Sequence, residues 1–220
     1  DYFDEKKIPY TSSNKTSSEL TFNKFKCNNY LRSLGYVVPD AQLCDNKFNI
    51  TYPCIVKPSC SGSSFGITKV NKQIDLNPAI KKAKQYDKEV IIENFIKGKE
   101  ITCGVLTLEH QIHTLPITEI ISQNEIFDYD AKYHGKSIEQ TPAEINQQLT
   151  ESIQNIAKKI YSDLHLSSIV RIDFIIEKEQ PYIIEINTIP GFTEKSIIPQ
   201  MLNAAKIEMK QFITEQLEII

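Results

Sequence analysis

Residues 169–196 read IVRIDFIIEKEQPYIIEINTIPGFTEKS. Two runs rich in Ile, Val, Phe and Tyr flank a polar turn, the pattern of an antiparallel hairpin. Side chains alternate across a strand, so Arg171 and Asp173 share one face while Val170, Ile172 and Phe174 take the other. On the second strand Glu185 and Asn187 share a face, opposite Ile184 and Ile186. A three-residue turn at Lys178–Gln180 pairs Glu177 with Pro181. Counting back from there sets Asp173 opposite Glu185 and Arg171 opposite Asn187. Like charges directly opposite on neighbouring strands, with Cβ atoms about 5 Å apart, are destabilising. The repulsion is roughly 3 kcal/mol at an effective dielectric near 20. A cation is therefore expected between them. Two carboxylates and an amide oxygen, with room for phosphate oxygens, suit magnesium shared with a nucleotide. The bland alternative is an ordinary hairpin with a solvated polar face. Asn187 to Gly191 then forms a Pro-Gly turn able to carry a substrate loop.

The rest of the composition narrows the class. A chain of 220 residues can bury a sizeable core. A net charge of −3 indicates neither a basic nucleic-acid surface nor a membrane-binding face. No apolar run has the length of a membrane span, and no signal peptide opens the chain. Cys27, Cys44, Cys54, Cys60 and Cys103 form no CxxC pair, which fits free thiols in a reducing compartment. His110 and His113 lack an acidic partner in register, so they make no zinc set.

Working outward, Thr16-Ser17-Ser18-Glu19 reads as a capping box starting a helix at Thr16. Leu20, Cys27, Leu31 and Leu34 continue its apolar face to Gly35. Lys24 lies on that face, as a packed stem with a snorkelling ammonium or as a cation aimed at an anion. Strands are expected at Tyr36–Leu43, Pro53–Lys57 and Ile67–Val70. Between the last two, the loop from Pro58 to Gly66 is rich in Ser and Gly, and Lys57 precedes it. Such a loop brings backbone N–H groups and hydroxyls onto phosphate oxygens. It is no Walker loop, since GxxxxGK[ST] is absent. A helix at Leu76–Tyr86, a strand at Val90–Glu93 and a strand at Ile101–Leu108 follow, then an extended run at Gln111–Ile121. Ser122–Thr141 reads as a long polar loop of the kind that forms lids. Thr141-Pro142-Ala143-Glu144 reads as a second capping box. The helix it starts carries Ile145, Leu149, Ile153, Ile156, Ile160 and Leu164 toward the hairpin's apolar face. Two further helical segments are expected over Ile198–Ile220. The order predicts an α+β chain of two lobes with antiparallel sheets, broken near Asn94.

Five motifs, IVKPSCSGSSFG, VIIENFIKGKEIT, FDYDAKY, VRIDF and IEINTIPGFTEKS, occur in the order seen in D-alanine–D-alanine ligases, and the chain resembles that ATP-grasp family. The resemblance implies two lobes enclosing a nucleotide site, residues 15–94 and 95–220, with residues 1–14 a remnant of or linker from an N-terminal domain that family members carry. It implies ATP-dependent ligation of two D-alanines through an acyl phosphate, for peptidoglycan and cell-wall synthesis in a bacterial cytoplasm. Lys24 and Lys57 would contact ATP phosphates, and Ser63 and Ser64 would lie in the loop closing over them. Glu93, Phe95 and Ile96 would line the adenine pocket, and Glu100 would bind the ribose. Lys132 and Tyr133 would sit on a lid near the γ-phosphate and the second substrate, tyrosine going with a D-alanine acceptor and phenylalanine with D-lactate. Asp173, Glu185 and Asn187 would hold two Mg2+ ions, or Mn2+. Arg171 and the Gly191 backbone would stabilise the oxyanion, and Ser196 with Ile197 would hold the second substrate. The family likeness also implies a homodimer acting on small molecules, not on nucleic acid or membrane. Another ATP-grasp ligase of acid and amine, or a nucleotide-binding remnant, remain alternatives.

Overall fold

The computed structural model describes residues 2–45, 50–122 and 137–218. Three helices open the chain: α1 (Tyr2–Lys6), α2 (Lys15–Phe22) and α3 (Lys24–Ser33). The single helix expected from Thr16 is thus two. Its cap is Asn14, whose side chain accepts from Ser17 N at 2.9 Å. Asn23 ends α2 and caps α3, accepting from Lys26 N at 2.9 Å. An asparagine side chain satisfies N–H groups that a helix start leaves without partners, so one residue both breaks and restarts the helix.

A four-stranded antiparallel sheet runs in the order β1 (Ala41–Leu43), β4 (Val90–Asn94), β2 (Cys54–Pro58), β3 (Thr68–Val70). The expected strand at Tyr36–Leu43 is confined to its last three residues. Helix α4 (Leu76–Ala83) covers one face, packing Ala79 and Ala83 with Cys54, Val56, Val70 and Ile92. Alternation leaves Ile55, Lys57 and Glu93 on the other face. Ile55 pairs with Lys69 on one side and Glu93 on the other.

The second sheet runs β10 (Gln180–Asn187), β9 (Val170–Glu177), β5 (Lys99–Leu108), β7 (Thr118–Ser122), β8 (Ser137–Gln140), with β6 (Gln111–Thr114) also on β5. Strand β8 falls within the run read as a loop. One face packs Ile101, Cys103, Val170, Ile172 and Phe174 against Ile153, Ala157 and Ile160 of helix α5 (Gln147–Asp163). Cys27 and Leu31 of α3 join the same core. Helix α5 starts later than the second capping box implies, because Asn146 is the cap, accepting from Leu149 N at 2.8 Å. The residues of that box instead continue the strand contacts, with Ala143 N donating to Ile117 O at 2.8 Å. At one end of the opposite face, helix α6 (Ile197–Ala204) packs Ile198, Met201 and Leu202 on Leu106, and Phe212 of α7 (Met209–Glu218) completes the cluster.

The hairpin itself holds a compensation. Its turn has two residues, Lys178 and Glu179, both with positive φ (49° and 67°). That is the conformation whose twist matches the flanking strands. Glu177 therefore pairs with Gln180, not Pro181. A register shift between Ile183 and Glu185 then absorbs one residue, and Asp173 faces Glu185 with Arg171 facing Asn187, as expected. Ile184 is the residue taken up by the bulge, so Ile183 rather than Ile184 enters the core.

Candidate active site

The polar face of the hairpin opens onto a cavity of about 890 Å³. Lys24, Ser61, Gly62 and Ser63 line it from one side, and Arg171, Glu185 and Asn187 from the sheet. Gly191, Ser196 and Ile197 line it from the loop before α6 and the start of that helix. The structure thus gathers eight of the residues singled out in the sequence around one space: Lys24, Ser63, Arg171, Glu185, Asn187, Gly191, Ser196 and Ile197.

Lys24 turns inward. It is 6% exposed, and its ammonium donates to Ser61 O at 2.6 Å and lies 3.7 Å from Glu185 Oε1. Burial pulls its pKa below the ordinary lysine value, against the attraction of Glu185. A snorkelling stem is excluded, because the ammonium is buried against Ser61 O and Glu185 rather than carried out to solvent. Asn23, one residue earlier, accepts from Ser59 Oγ at 2.9 Å, and Lys24 N donates to Ser59 O at 3.0 Å. These bonds fasten the start of α3 to the serine-rich loop. In that loop Ser63 and Ser64 adopt positive φ, 52° and 58°. Such conformations cost energy in non-glycine residues and cluster at ligand sites.

A cation of the chain itself stands beside each of the opposed carboxylates, Arg171 at Asp173 and Lys24 at Glu185. Arg171 clamps Asp173 with two bonds, Nε to Oδ1 and Nη2 to Oδ2, each 2.8 Å. Burial opposes the Arg171 charge, but Asp173 above all, together with Glu185 and Glu100, outweighs it and holds the guanidinium pKa above its usual value. Thr102 Oγ1 adds a third bond to Asp173, 2.6 Å to Oδ1. Asn187 Oδ1 accepts from Ile189 N at 3.1 Å, which sets the turn into the following loop. Ser196 opens α6, and its hydroxyl lies 2.8 Å from Thr193 Oγ1 and accepts from Thr193 N at 3.1 Å.

Lys57 and Glu93 sit deeper. Lys57 Nζ lies 2.7 Å from Glu93 Oε1, and the two are 3% and 5% exposed. Glu93 Oε2 is buried without a hydrogen-bond partner among the described residues. Phe95 follows, with Lys69 Nζ 3.9 Å from its ring centroid. Ile96 is half-buried, and Glu100 stands on β5 between Ile120 and Ile175. Lys132 and Tyr133 lie outside the described residues, as does most of the run read as a lid. Three contributors were not visible in the sequence. Thr102 reaches Asp173 only through the pairing of β5 with β9. Asn23 was masked by helical periodicity. Glu139 lines the cavity from β8, a strand with almost no alternation signal.

Comparison with known proteins completes the identification. The family described as D-ala D-ala ligase C-terminus matches residues 36–218. A D-alanine–D-alanine ligase of Phocaeicola vulgatus is 44% identical over 99% of this chain, and the match spans 70% of that relative. One from Azobacteroides pseudotrichonymphae is 42% identical over all of this chain and 71% of its own length. Among solved structures, the VanG D-Ala:D-Ser ligase of Enterococcus faecalis superposes with a TM-score of 0.86 at 31% identity, covering 98% of this chain and 66% of its own. The D-alanine–D-alanine ligase of Bacillus anthracis gives 0.83 at 30%, covering 99% and 74%. Its complex with ATP gives 0.81 at 27%, covering 99% and 72%. Fold and site define an ATP-grasp protein. The chain belongs to the D-alanine–D-alanine ligase family.

Proposed function

We propose that this chain performs the ATP-dependent joining of two D-alanines for peptidoglycan precursors. The observation that carries the reading is the single cavity shared by Lys24, the serine loop, Arg171, Glu185, Asn187 and the Ser196 start of α6, with Asp173 clamped to Arg171 beside it. Buried Glu93 Oε2, an acceptor lacking a donor among the described residues, suits the exocyclic amine of adenine beside Phe95 and Ile96. Buried acceptors are ordinarily paired, so one left open marks a place for a ligand donor. Glu100 suits the ribose hydroxyls, while Lys57, Lys24, Ser63 and Ser64 suit the phosphates. Tyr133 and Lys132 would belong to the acceptor and γ-phosphate side. Residues 15–94 and 95–220 would be the two lobes, following 1–14 as a linker.

The metal reading also fits the donor set. Among the described residues no group of three or more His, Cys, Asp or Glu side chains converges as a metal cage. Magnesium commonly takes one or two carboxylates and fills its shell with phosphate and water. Asp173, Glu185 and Asn187 would hold it, and Mn2+ would serve the same donors. Bound there, it would neutralise phosphate charge. For Asp173 to join, Arg171 must release part of its fork. The freed guanidinium is then available, with the Gly191 N–H, to the oxyanion formed later.

The reaction balances in two steps. A donor carboxylate oxygen takes the γ-phosphoryl group of ATP, releasing ADP. The acceptor amine, having lost a proton, attacks the acyl carbon, and inorganic phosphate leaves. Lys57 and Lys24 offset phosphate charge in the first step. The N-terminal end of α6 with Ser196 and Ile197 holds the acceptor carboxylate in the second. A homodimer in the bacterial cytoplasm, free of nucleic acid and membrane, accords with the family. Among the described residues no helix is long and apolar enough to cross a membrane.

Incubating the protein with ATP, magnesium and D-alanine, and measuring ADP and product by mass, tests the reading. ADP and D-alanyl-D-alanine in equal amounts are expected. ADP formed only with another acid and amine would assign it to a different ATP-grasp reaction. A product dominated by D-alanyl-D-lactate when both acceptors are offered would overturn the Tyr133 assignment.

A further inference from the structure

Two carboxylates of the cavity, Glu19 and Glu139, have no place in the scheme above, and Glu19 has a cation beside it, Lys15 at 3.8 Å. Glu139 of β8 lines the same space as Arg171, Asn187 and Ser196. Its Oε2 accepts from Gln200 Nε2 at 2.7 Å, a neutral donor. Asp173 has Arg171 and Glu185 has Lys24, but among the described residues Glu139 has no cationic partner. Gln200 is itself fixed, since the same nitrogen lies 3.3 Å from Lys195 O. It stands on α6 four residues after Ser196, and its backbone N lies 3.5 Å from Ser196 O. Residues four apart on a helix are neighbours on one face, about 5–6 Å apart.

We propose that Glu139 binds the ammonium group of the acceptor amino acid, and that Gln200 holds Glu139 in position. The proposal rests on the reading that Ser196 and the start of α6 take the acceptor's carboxylate. An α-amino acid carries its two charges on adjacent carbons. With one hydrogen bond at each end, it spans the single helical turn between Ser196 and the Gln200-tethered carboxylate. Arg171, Lys24 and Lys195, which line the same cavity, repel an ammonium, so the Glu139 carboxylate also sets which way round the acceptor lies. A carboxylate there favours an amino acid over a hydroxy acid of the same shape, because only the former brings a cation.

The competing account is that Glu139 and Gln200 merely tie edge strand β8 to α6. A tie affects every acceptor alike, whereas an ammonium site affects only those with an amine. The full-length protein, with Glu139→Gln and Gln200→Met variants, is given saturating ATP and D-alanine at pH 7 with D-lactate in competition. The amounts of D-alanyl-D-alanine and D-alanyl-D-lactate are then measured. The proposal expects the amide-to-ester ratio to fall at least tenfold in Glu139→Gln, the scale of a lost bond to a charged group. The rate of ester formation and the KM for ATP should stay within about twofold. Gln200→Met, which keeps the charge but frees it, should shift the ratio the same way by less. An unchanged ratio in Glu139→Gln, or equal losses of both products, overturns the proposal and leaves the ligase reading standing. A wild-type protein that forms neither product overturns both.

Discussion

Lys57 and Glu93 meet at 2.7 Å with both side chains almost wholly out of solvent. They lie diagonally across the β2–β4 pairing, Ile55 facing Glu93 and Lys57 facing Ile91. Removing one partner of a buried pair strands the other charge, at a cost of about 3–5 kcal/mol. Lys57→Met should therefore melt lower by roughly 10 °C for a domain of this size, quite apart from any loss of nucleotide binding. Lys57→Met with Glu93→Gln should recover most of that loss, since no buried charge is left alone. Thermal melts of the single and double variants check this. Additive losses would mean the pair is not coupled.

Glu185 is held more loosely. It is about a third exposed, and its contact with Lys24 is 3.7 Å, so in solvent the pair contributes no more than about 1 kcal/mol. Arg171 already offsets Asp173, which removes the repulsion that the bare pairing of carboxylates implies. Glu185→Gln should then shift the ligand-free melting temperature by only a few degrees at most. Stabilisation by Mg·ATP follows binding to the folded state and should shrink sharply. A variant that gains as much from Mg·ATP as the wild type would remove Glu185 from the metal set.

The hairpin's facing residues were legible in the sequence, yet through two offsetting errors. The turn is one residue shorter than the polar run EKEQP indicates, and a bulge beside Ile184 restores the count. Turn length and bulges depend on φ values and twist, which alternation does not encode. The strand position of Asp173 followed from period-two patterning, because its strand alternates buried and half-buried residues. The break at Asn23 did not, since a helix that stops and restarts in one residue keeps its apolar periodicity. Thr102 and Glu139 reach the site through pairings across the sheet, β5 with β9 and β8 with β7. Such partners are set by tertiary structure and leave no mark in a local window.

The link between the sheets makes a further prediction. A Cβ on Gly98 would stand 1.9 Å from Ile176 O, a backbone atom that cannot step aside. Lys97 N donates to Glu177 Oε1 at 3.3 Å on the same hairpin, so the link is fastened to β9 on either side of the clash. Gly98→Ala should destabilise by about 3 kcal/mol, the upper end for overpacking. It should also weaken ATP binding, since Phe95 and Ile96 move with the link. Melting and ATP titration test this together. A variant with wild-type values in both would mean the link yields freely.

Lys24 gives a pH signature. Burial lowers its pKa from the ordinary 10.5, with Glu185 opposing. The unfolded chain then binds more protons than the folded one between the lowered folded value and 10.5. Stability contributed through this group therefore rises with pH across that alkaline window and is flat well below it. Lys24→Met lacks the titrating group and keeps the packed stem. The wild-type melting temperature should rise relative to the variant's as pH climbs toward 10.5. At neutral pH the variant should be as stable as the wild type or more so, because a buried ammonium has been removed; the lost bond to Ser61 O limits that gain. Binding of Mg·ATP should fall at the same time, since a buried cation beside a phosphate loop serves an anion rather than the fold. Melts from pH 7 to 10.5, with and without Mg·ATP, separate these effects. A constant difference between the two proteins across the range, with nucleotide stabilisation intact, would make Lys24 a structural lysine.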